Sequence, residues 1–154
     1  IFANLTLKDK PVFVYGDGQQ TRSFSHVKDC VDAFITLYNM RDKLSSKEVF
    51  NIGPSDGTEI TILDLAQKVA QYCNKECQIK YMPERPREVK HAWVSTEKAE
   101  QVLGYRTTNS CEDTIRDTVN WIRTQPVRGF HYHLPIKIQR EDTPTTWTNR
   151  LFNE

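Results

Sequence analysis

Residues 11–43 constrain the fold most, because a strand pattern, a glycine turn and a helix pattern follow one another there. Residues 11–15 are β-branched and aromatic, which predicts a strand, and Gly16-Asp17-Gly18 predicts a tight turn. Over residues 26–43 apolar side chains recur at helical spacing, at Val27, Val31, Phe34, Ile35 and Tyr38. A strand that leads into a helix is typical of α/β domains, so we expect that class.

The alternation continues to residue 124. A short apolar run over residues 48–53 predicts a buried strand, and residues 78–82 alternate in period two as a half-exposed strand does. Short extended pieces are predicted at residues 22–25 and 91–94. Three helices are predicted after hydroxyl N-caps, the second ending at Gly104; the caps are Thr61 (with Asp64 in its first turn), Thr96 and Ser110.

Length and charge bound the functions open to this chain. Its 154 residues suit a single domain, and a net charge of +1 gives no overall attraction to nucleic acid or acidic membranes. No apolar run approaches the roughly 20 residues that span a bilayer, so we expect a cytoplasmic protein with no nucleic-acid or membrane partner. The sequence starts with Ile1, inside a predicted helix over residues 1–10, so we expect a truncated or recombined reading frame.

Cysteine and histidine give no clear metal site. Cys73 and Cys77 form the only close cysteine pair, and no suitably spaced Cys or His pair completes a zinc site. We therefore expect reduced thiols and no bound metal. His131 and His133 share a face if residues 130–138 are extended, and we expect them to belong to an aromatic patch that covers the core.

Two groups of basic residues could bind an anion. Arg22 follows the strand and its glycine turn, where a guanidinium can point into the crevice at a strand's carboxyl end. Arg85 and Arg87 lie in a proline-stiffened loop. An arginine fork suits phosphate oxygens, but each of these side chains could equally be a solvated surface group. Tyr15, which ends the first strand, could stack on a base or simply pack.

Taken together and in order, these segments resemble the extended short-chain dehydrogenase/reductase family, near the UDP-glucose 4-epimerases. The segment from Val14 to Asp29 is similar to the pattern Y-G-D-G-x-Q-x-R-D-F-x-x-V-D-D, and residues 50–53 to (F/Y)-N-(I/L)-G. Residues 85–105 resemble R-P-G-D-(V/I) followed by D-x-x-K-A and L-G-(Y/W). The similarity covers about residues 1–124.

The resemblance implies roles for particular residues. Arg22 and Arg85 would contact the diphosphate of a nucleotide sugar, most simply a UDP-sugar, and Glu88 would help to hold the nucleoside. Val14 and Tyr15 would lie against the base, and Asn51, in a matching motif, is a further candidate. Residues 1–127 would form the substrate-binding domain of an extended Rossmann-type epimerase or dehydratase, with residues 128–154 as a tail packed on it.

The family's chemistry is not encoded in this chain. The glycines of residues 16–18 lack the third glycine of the dinucleotide fingerprint, and no tyrosine is followed four positions later by lysine. We therefore expect no complete Rossmann domain, no cofactor site (NAD is the family's cofactor) and no catalytic residues.

The resembling motifs also depart from the family pattern. Ser23 and Ser95 stand where the family has Asp, and Arg87-Glu88 stands for Gly-Asp. We expect a nucleotide-sugar-binding portion that pairs with a missing Rossmann half or forms a homo-oligomer. The alternative is a non-catalytic binding or oligomerisation module that reuses the fold.

Overall fold

The computed structural model describes residues 1–126, 140, 141, 143 and 148–150. The segment at 130–138, with His131 and His133, lies outside these residues, as does most of the tail that is expected to pack on the domain. Within residues 1–126 strands and helices alternate as the sequence predicts. In chain order the elements are α1 (Phe2–Leu7), β1 (Val12–Tyr15), β2 (Thr21–Arg22), α2 (Val27–Met40), β3 (Ile60–Thr61), α3 (Ile62–Cys73), β4 (Ile79–Met82), β5 (His91–Ala92), α4 (Glu97–Leu103) and α5 (Cys111–Thr124).

The strands form two small sheets. β1 pairs with β4 in parallel, with Val12 opposite Ile79 and Tyr15 opposite Met82. β2 lies in the middle of the other sheet, antiparallel to β3 and parallel to β5, with Arg22 opposite Ile60 on one side and Ala92 on the other. The chain therefore has the mixed α/β architecture of short strands and packed helices that was predicted.

Buried apolar side chains form three clusters around these sheets. Val12 and Val14 of β1 pack on Ala66 of α3, and α3 in turn packs on α1 and α5 through Val69, Cys73, Ile115 and Val119. A separate cluster joins α2 to α4 through Ala33, Ala99, Leu103 and Tyr105. β1 is thus fixed from one side by helices, which leaves its carboxyl end free to carry a site.

Side-chain caps set the helix starts as the sequence predicts. Thr61 Oγ1 accepts a hydrogen bond from the Asp64 amide at 3.0 Å, and Ser110 and Asp113 form a capping box. At α4 the hydroxyl of Thr96 instead donates to Glu100 at 2.6 Å, and Ser95 Oγ accepts from the amide of residue 97 at 3.4 Å. The helix is confirmed, but Ser95 rather than Thr96 supplies the side-chain acceptor.

The strand predicted at residues 48–53 is wrong, because no strand forms there. A strand is defined by its hydrogen bonds to a neighbouring backbone, and none of the described strands pairs with this segment. The apolar side chains that suggested it have another use, since Phe50 and Ile52 pack against the cluster between α2 and α4. Tyr105 fixes the end of the segment by donating its hydroxyl to the Gly53 carbonyl at 2.9 Å.

Helix α2 is confirmed, but the apolar side chains that predicted it point away from the core. Val27, Phe34 and Tyr38 are 68%, 72% and 67% exposed, and Val31 and Ile35 are exposed as well. The buried face instead carries Ala33 and the carboxylate of Asp29. A helix with apolar residues on both faces is typical of one packed on two sides, so we call these five exposed side chains the outer face of α2.

Gly18 cannot carry a side chain without disturbing the turn after β1. Its φ is +76°, and a Cβ would lie 2.8 Å from Cγ1 of Val14 and 3.2 Å from Cβ of Leu63. We expect Gly18→Ala to lower the free energy of unfolding by about 2 kcal/mol, from left-handed backbone strain plus the clash. Gly57→Ala is the matched control, because Gly57 has a φ of +70° and open space around it. Urea unfolding of both variants should give a loss at Gly57 of only about 1 kcal/mol; equal losses would contradict the clash.

Candidate functional site

A cavity of about 290 Å³ opens at the carboxyl ends of the parallel strands β1 and β4. In α/β proteins ligands bind in the crevice outside the carboxyl ends of parallel strands. The lining residues end or follow β1, follow β4 or begin β5: Tyr15, Gly16, Asp17, Gln19, Gln20, Glu84, Arg85, Glu88, Lys90 and His91. This cavity is therefore the candidate site.

The base of the cavity joins an arginine to an aromatic ring. The guanidinium carbon of Arg85 lies 3.9 Å from the centroid of the Tyr15 ring, within the range of a cation–π interaction. Tyr15 is buried, and Gln20 Nε2 donates to its carbonyl at 3.0 Å. Stacking on a fixed ring orients Arg85 before any ligand arrives.

Arg22 reaches the cavity through an ion pair. Its Nη2 lies 3.0 Å from Oε1 of Glu88, a cavity-lining carboxylate. The other terminal nitrogen, Nη1, donates to the carbonyls of Thr21 at 2.6 Å and Lys90 at 3.4 Å. The guanidinium is therefore held by backbone on one side and by a carboxylate on the other.

Arg22 also borders a second cavity of about 270 Å³. Ser23 and Ser25 line this cavity together with the exposed ring of Trp93. Glu88 lines the first cavity and Arg22 lines the second, so their ion pair lies between the two cavities. An elongated ligand could occupy both cavities and contact the Arg22 guanidinium between them.

The six residues predicted from the sequence have different positions. Tyr15, Arg85 and Glu88 line the first cavity, and Arg22 adjoins it through Glu88. The side chain of Val14, within β1, is fully buried and lines neither cavity, so only its backbone could meet a ligand. Asn51 is exposed and lines neither of these two cavities.

Lys90 and His91 were not assigned a binding role from the sequence, yet both line the first cavity. Nδ1 of His91 lies 2.9 Å from the hydroxyl of Thr21, and that hydroxyl also forms a short hydrogen bond with Glu59. Their position five and six residues after Arg85, at the start of a strand parallel to β2, is the signal that could have revealed them.

The reactive groups outside the cavity are poorly suited to acid–base chemistry. Burial, and then the charges of Asp29 and Cys30, raise the pKa of Tyr105 to about 12. Burial raises the pKa of Cys73, Cys77 and Cys111, so these thiols are not thiolates at neutral pH. In the part of the chain that the structure describes, no three His, Cys, Asp or Glu side chains form a metal-binding group.

The glycine turn after β1 does not form a dinucleotide cradle. Its chain runs on into β2 rather than into a helix, whereas the pyrophosphate of a dinucleotide lies on a helix N-terminus. The Glu84 side chain also packs close to Gly16, since a Cβ at that position would lie 3.0 Å from Cγ of Glu84. A phosphate therefore has little room beside the Gly16 backbone on that side.

The short parallel strands, packed helices and site at the strands' carboxyl ends define a domain of the extended short-chain dehydrogenase/reductase, or epimerase/dehydratase, type. The chain belongs to the GDP-mannose 4,6 dehydratase family, whose model matches residues 1–118. The resemblance inferred from the sequence motifs is therefore confirmed.

Individual relatives agree with this assignment. UDP-glucose 4-epimerase 2 of Arabidopsis thaliana is 32% identical over 111 residues, which are 71% of this chain and 31% of that protein. The UDP-glucuronic acid 4-epimerase of Bacillus cereus, solved with UDP-glucuronic acid and NAD, superposes with a TM-score of 0.71 at 28% identity, over 79% of this chain and 38% of that chain. The UDP-glucose 4-epimerase of Thermotoga maritima, solved with UDP-glucose, gives a TM-score of 0.70 at 26% identity and the same coverage.

The chain thus spans about a third of the length of the relatives that it matches. Among its described residues, no helix is long and apolar enough to cross a membrane.

Proposed function

We propose that this chain is the nucleotide-sugar-binding portion of an NAD-dependent sugar epimerase or dehydratase, and that it clamps the diphosphate. The observation that carries this proposal is the pair of arginines, Arg22 and Arg85, beside one cavity at the carboxyl ends of β1 and β4. Each can donate parallel N–H bonds to phosphate oxygens. UDP-glucose and UDP-glucuronic acid, bound by two structural relatives, make a UDP-sugar the ligand of choice.

In this proposal the first cavity takes the nucleoside. Tyr15 and the backbone of Val14 flank the base, and Glu88 and Lys90 lie within the same hollow. The diphosphate lies between Arg85 and Arg22, and the sugar extends past Arg22 toward Ser23 and Trp93. Asn51, outside both cavities, would contact only a part of the ligand that extends beyond them.

The clamp is not catalytic alone. NAD and the groups that move the sugar's protons would belong to the part of the enzyme that this chain does not match. We therefore expect no turnover of UDP-glucose by this chain with added NAD, although UDP and UDP-glucose bind.

Calorimetric titration of the folded chain with UDP and with UDP-glucose tests the clamp. The expected result is saturable binding of both ligands at a single site, because both carry the diphosphate. The absence of heat from either ligand at millimolar concentration, with a cooperative thermal melt as proof of folding, would contradict the proposal.

The outer face of α2 is the surface on which we expect a partner to bind. Five large apolar side chains lie exposed along one helix, and contiguous exposed apolar surface is typical of an interaction site. In the proposed enzyme, the NAD-binding half covers this face; without that half, a second copy of the chain would. The face is also the observation that favours the alternative function, a non-catalytic oligomerisation module.

Sedimentation equilibrium distinguishes these states. We expect the chain alone to self-associate as its concentration rises, because burial of apolar surface contributes roughly 25 cal/mol per Å². Replacing Phe34 and Tyr38 together by Ser should shift the chain to monomer. Trp121→Ser is the matched control, since Trp121 is also exposed but lies on α5. A wild-type chain that stays monomeric at every concentration would exclude self-association through α2.

A further inference from the structure

Glu88 forms an ion pair with a terminal guanidinium nitrogen of Arg22, the arginine that the proposed clamp uses for a diphosphate. We propose that this carboxylate competes with phosphate for Arg22, so that a diphosphate must displace it in order to bind that arginine. The inference rests on the proposed function, because it concerns the same cavity and the same arginine. It adds that part of the binding free energy of a diphosphate is used to open an ion pair.

The contacts of Arg22 leave one side of its guanidinium for an anion. Nη1 is engaged by the carbonyls of Thr21 and Lys90, while Nη2 meets Oε1 of Glu88 at 3.0 Å. Both side chains of the pair are partly buried, 26% and 22% exposed. A phosphate oxygen that approaches this arginine from the first cavity therefore meets the carboxylate first.

The backbone conformation of the loop before Glu88 places its carboxylate against Arg22. Arg87 has a φ of +59°, a left-handed conformation that side-chain-bearing residues rarely adopt. The Glu88 amide donates to the Arg85 carbonyl at 3.3 Å. This turn brings Arg85 and Glu88 to the wall of the same cavity, which therefore presents one positive and one negative side chain to a ligand.

Two anions cannot share Nη2 of Arg22 without repelling each other. Uridine has no phosphate and can enter the first cavity with the ion pair intact. In the proposed competition UDP turns the Glu88 carboxylate away from Arg22, and the carboxylate then stays near the phosphates as a like charge. The carboxylate therefore lowers the affinity for UDP relative to uridine, and its removal should raise that ratio.

The experiment compares Glu88→Gln with Glu84→Gln in calorimetric titrations with UDP, uridine and inorganic pyrophosphate. Both substitutions remove one negative charge from the wall of the same cavity. Glu84 is the matched control, because the ion pair of Arg22 is with Glu88 and not with Glu84. Glu88→Gln should raise the ratio of UDP affinity to uridine affinity about fivefold and tighten pyrophosphate to a similar degree, the amount expected for a partly exposed ion pair. Glu84→Gln should change the ratio less than about twofold, because the charge of Glu84 affects a bound phosphate only by longer-range electrostatics, which salt screens.

Each of the following results would overturn the competition. The ratio could stay unchanged because Glu88→Gln weakens UDP and uridine equally, which is the behaviour of a residue that only holds the nucleoside. The two variants could raise the ratio equally, which would assign the effect to general electrostatics. If neither wild type nor Glu88→Gln binds UDP or pyrophosphate, both the proposed function and the competition are contradicted. If wild type binds UDP and Glu88→Gln does not bind it more tightly, only the competition is contradicted.

Discussion

Arg22→Ala is expected to weaken UDP binding about 30-fold, because it removes at least one charge-assisted hydrogen bond to a phosphate oxygen. The same change leaves Glu88 in the cavity wall without its partner, so a carboxylate then faces the diphosphate directly. Arg22→Lys should lie between wild type and Ala, since lysine keeps the charge but not the planar fork. Calorimetry with UDP measures all three.

Two comparisons make the Arg22 result specific. Arg41→Ala removes an equal charge at the end of α2, where Arg41 contacts Tyr38 and Asp42, and should leave UDP affinity within about twofold of wild type. Uridine affinity should also be unchanged in Arg22→Ala, because the nucleoside lacks the diphosphate. Unchanged UDP affinity in both Arg22→Ala and Arg85→Ala would show that the diphosphate lies elsewhere.

Local sequence signals predict the elements of this fold well where a side chain bonds its own backbone. Thr61 and Ser110 cap α3 and α5 as their spacing from Asp64 and Asp113 indicates, and Gly104 ends α4 in the left-handed conformation. Such contacts depend on residues a few positions apart, so the sequence alone contains the information.

Signals that depend on distant partners were less informative. The apolar run at residues 48–53 has the composition of a strand, but strand formation needs pairing with a second backbone, and none of the described strands pairs with this run. Periodicity likewise found α2 without telling which of its two apolar faces is covered by this chain. In a helix apolar on both sides, the small residue Ala33 rather than Phe34 marks the face in contact with α4.

The candidate site was predicted only in part because its residues come from separate segments. Tyr15, Arg22, Arg85 and Glu88 followed from motif resemblance, whereas Lys90 and His91 enter the cavity through the pairing of β5 with β2. The ion pair between Arg22 and Glu88 joins residues 66 positions apart, and no spacing rule anticipates it.

Asp29→Ala is expected to lower the free energy of unfolding by about 3 kcal/mol, one of the largest effects of a single substitution in this chain. Asp29 is 2% exposed, and its Oδ1 accepts hydrogen bonds from the amide and hydroxyl of Thr108, at 3.1 and 2.9 Å, and from Asn109 Nδ2 at 2.9 Å. Its removal leaves the partly buried donors of Thr108 and Asn109 without their acceptor. It also frees the loop that joins α4 to α5 from α2. Asp32→Ala, one turn away on the exposed side of α2, should change stability by less than about 0.5 kcal/mol.

The pH dependence of the same residue gives an independent measurement. Burial alone would raise the pKa of Asp29, but the hydrogen bonds from Thr108 and Asn109 outweigh it and lower the pKa. A carboxyl whose pKa is lower in the folded state stabilises the fold fully above its unfolded pKa of about 3.9. That stabilisation is lost as the pH falls through the folded value. The stability difference between wild type and Asp29→Asn, measured by urea unfolding, should therefore be constant near neutral pH and shrink below about pH 4. A difference that stays constant through that range would mean that the charge of Asp29 does not contribute, and that the loop is held by neutral hydrogen bonds alone.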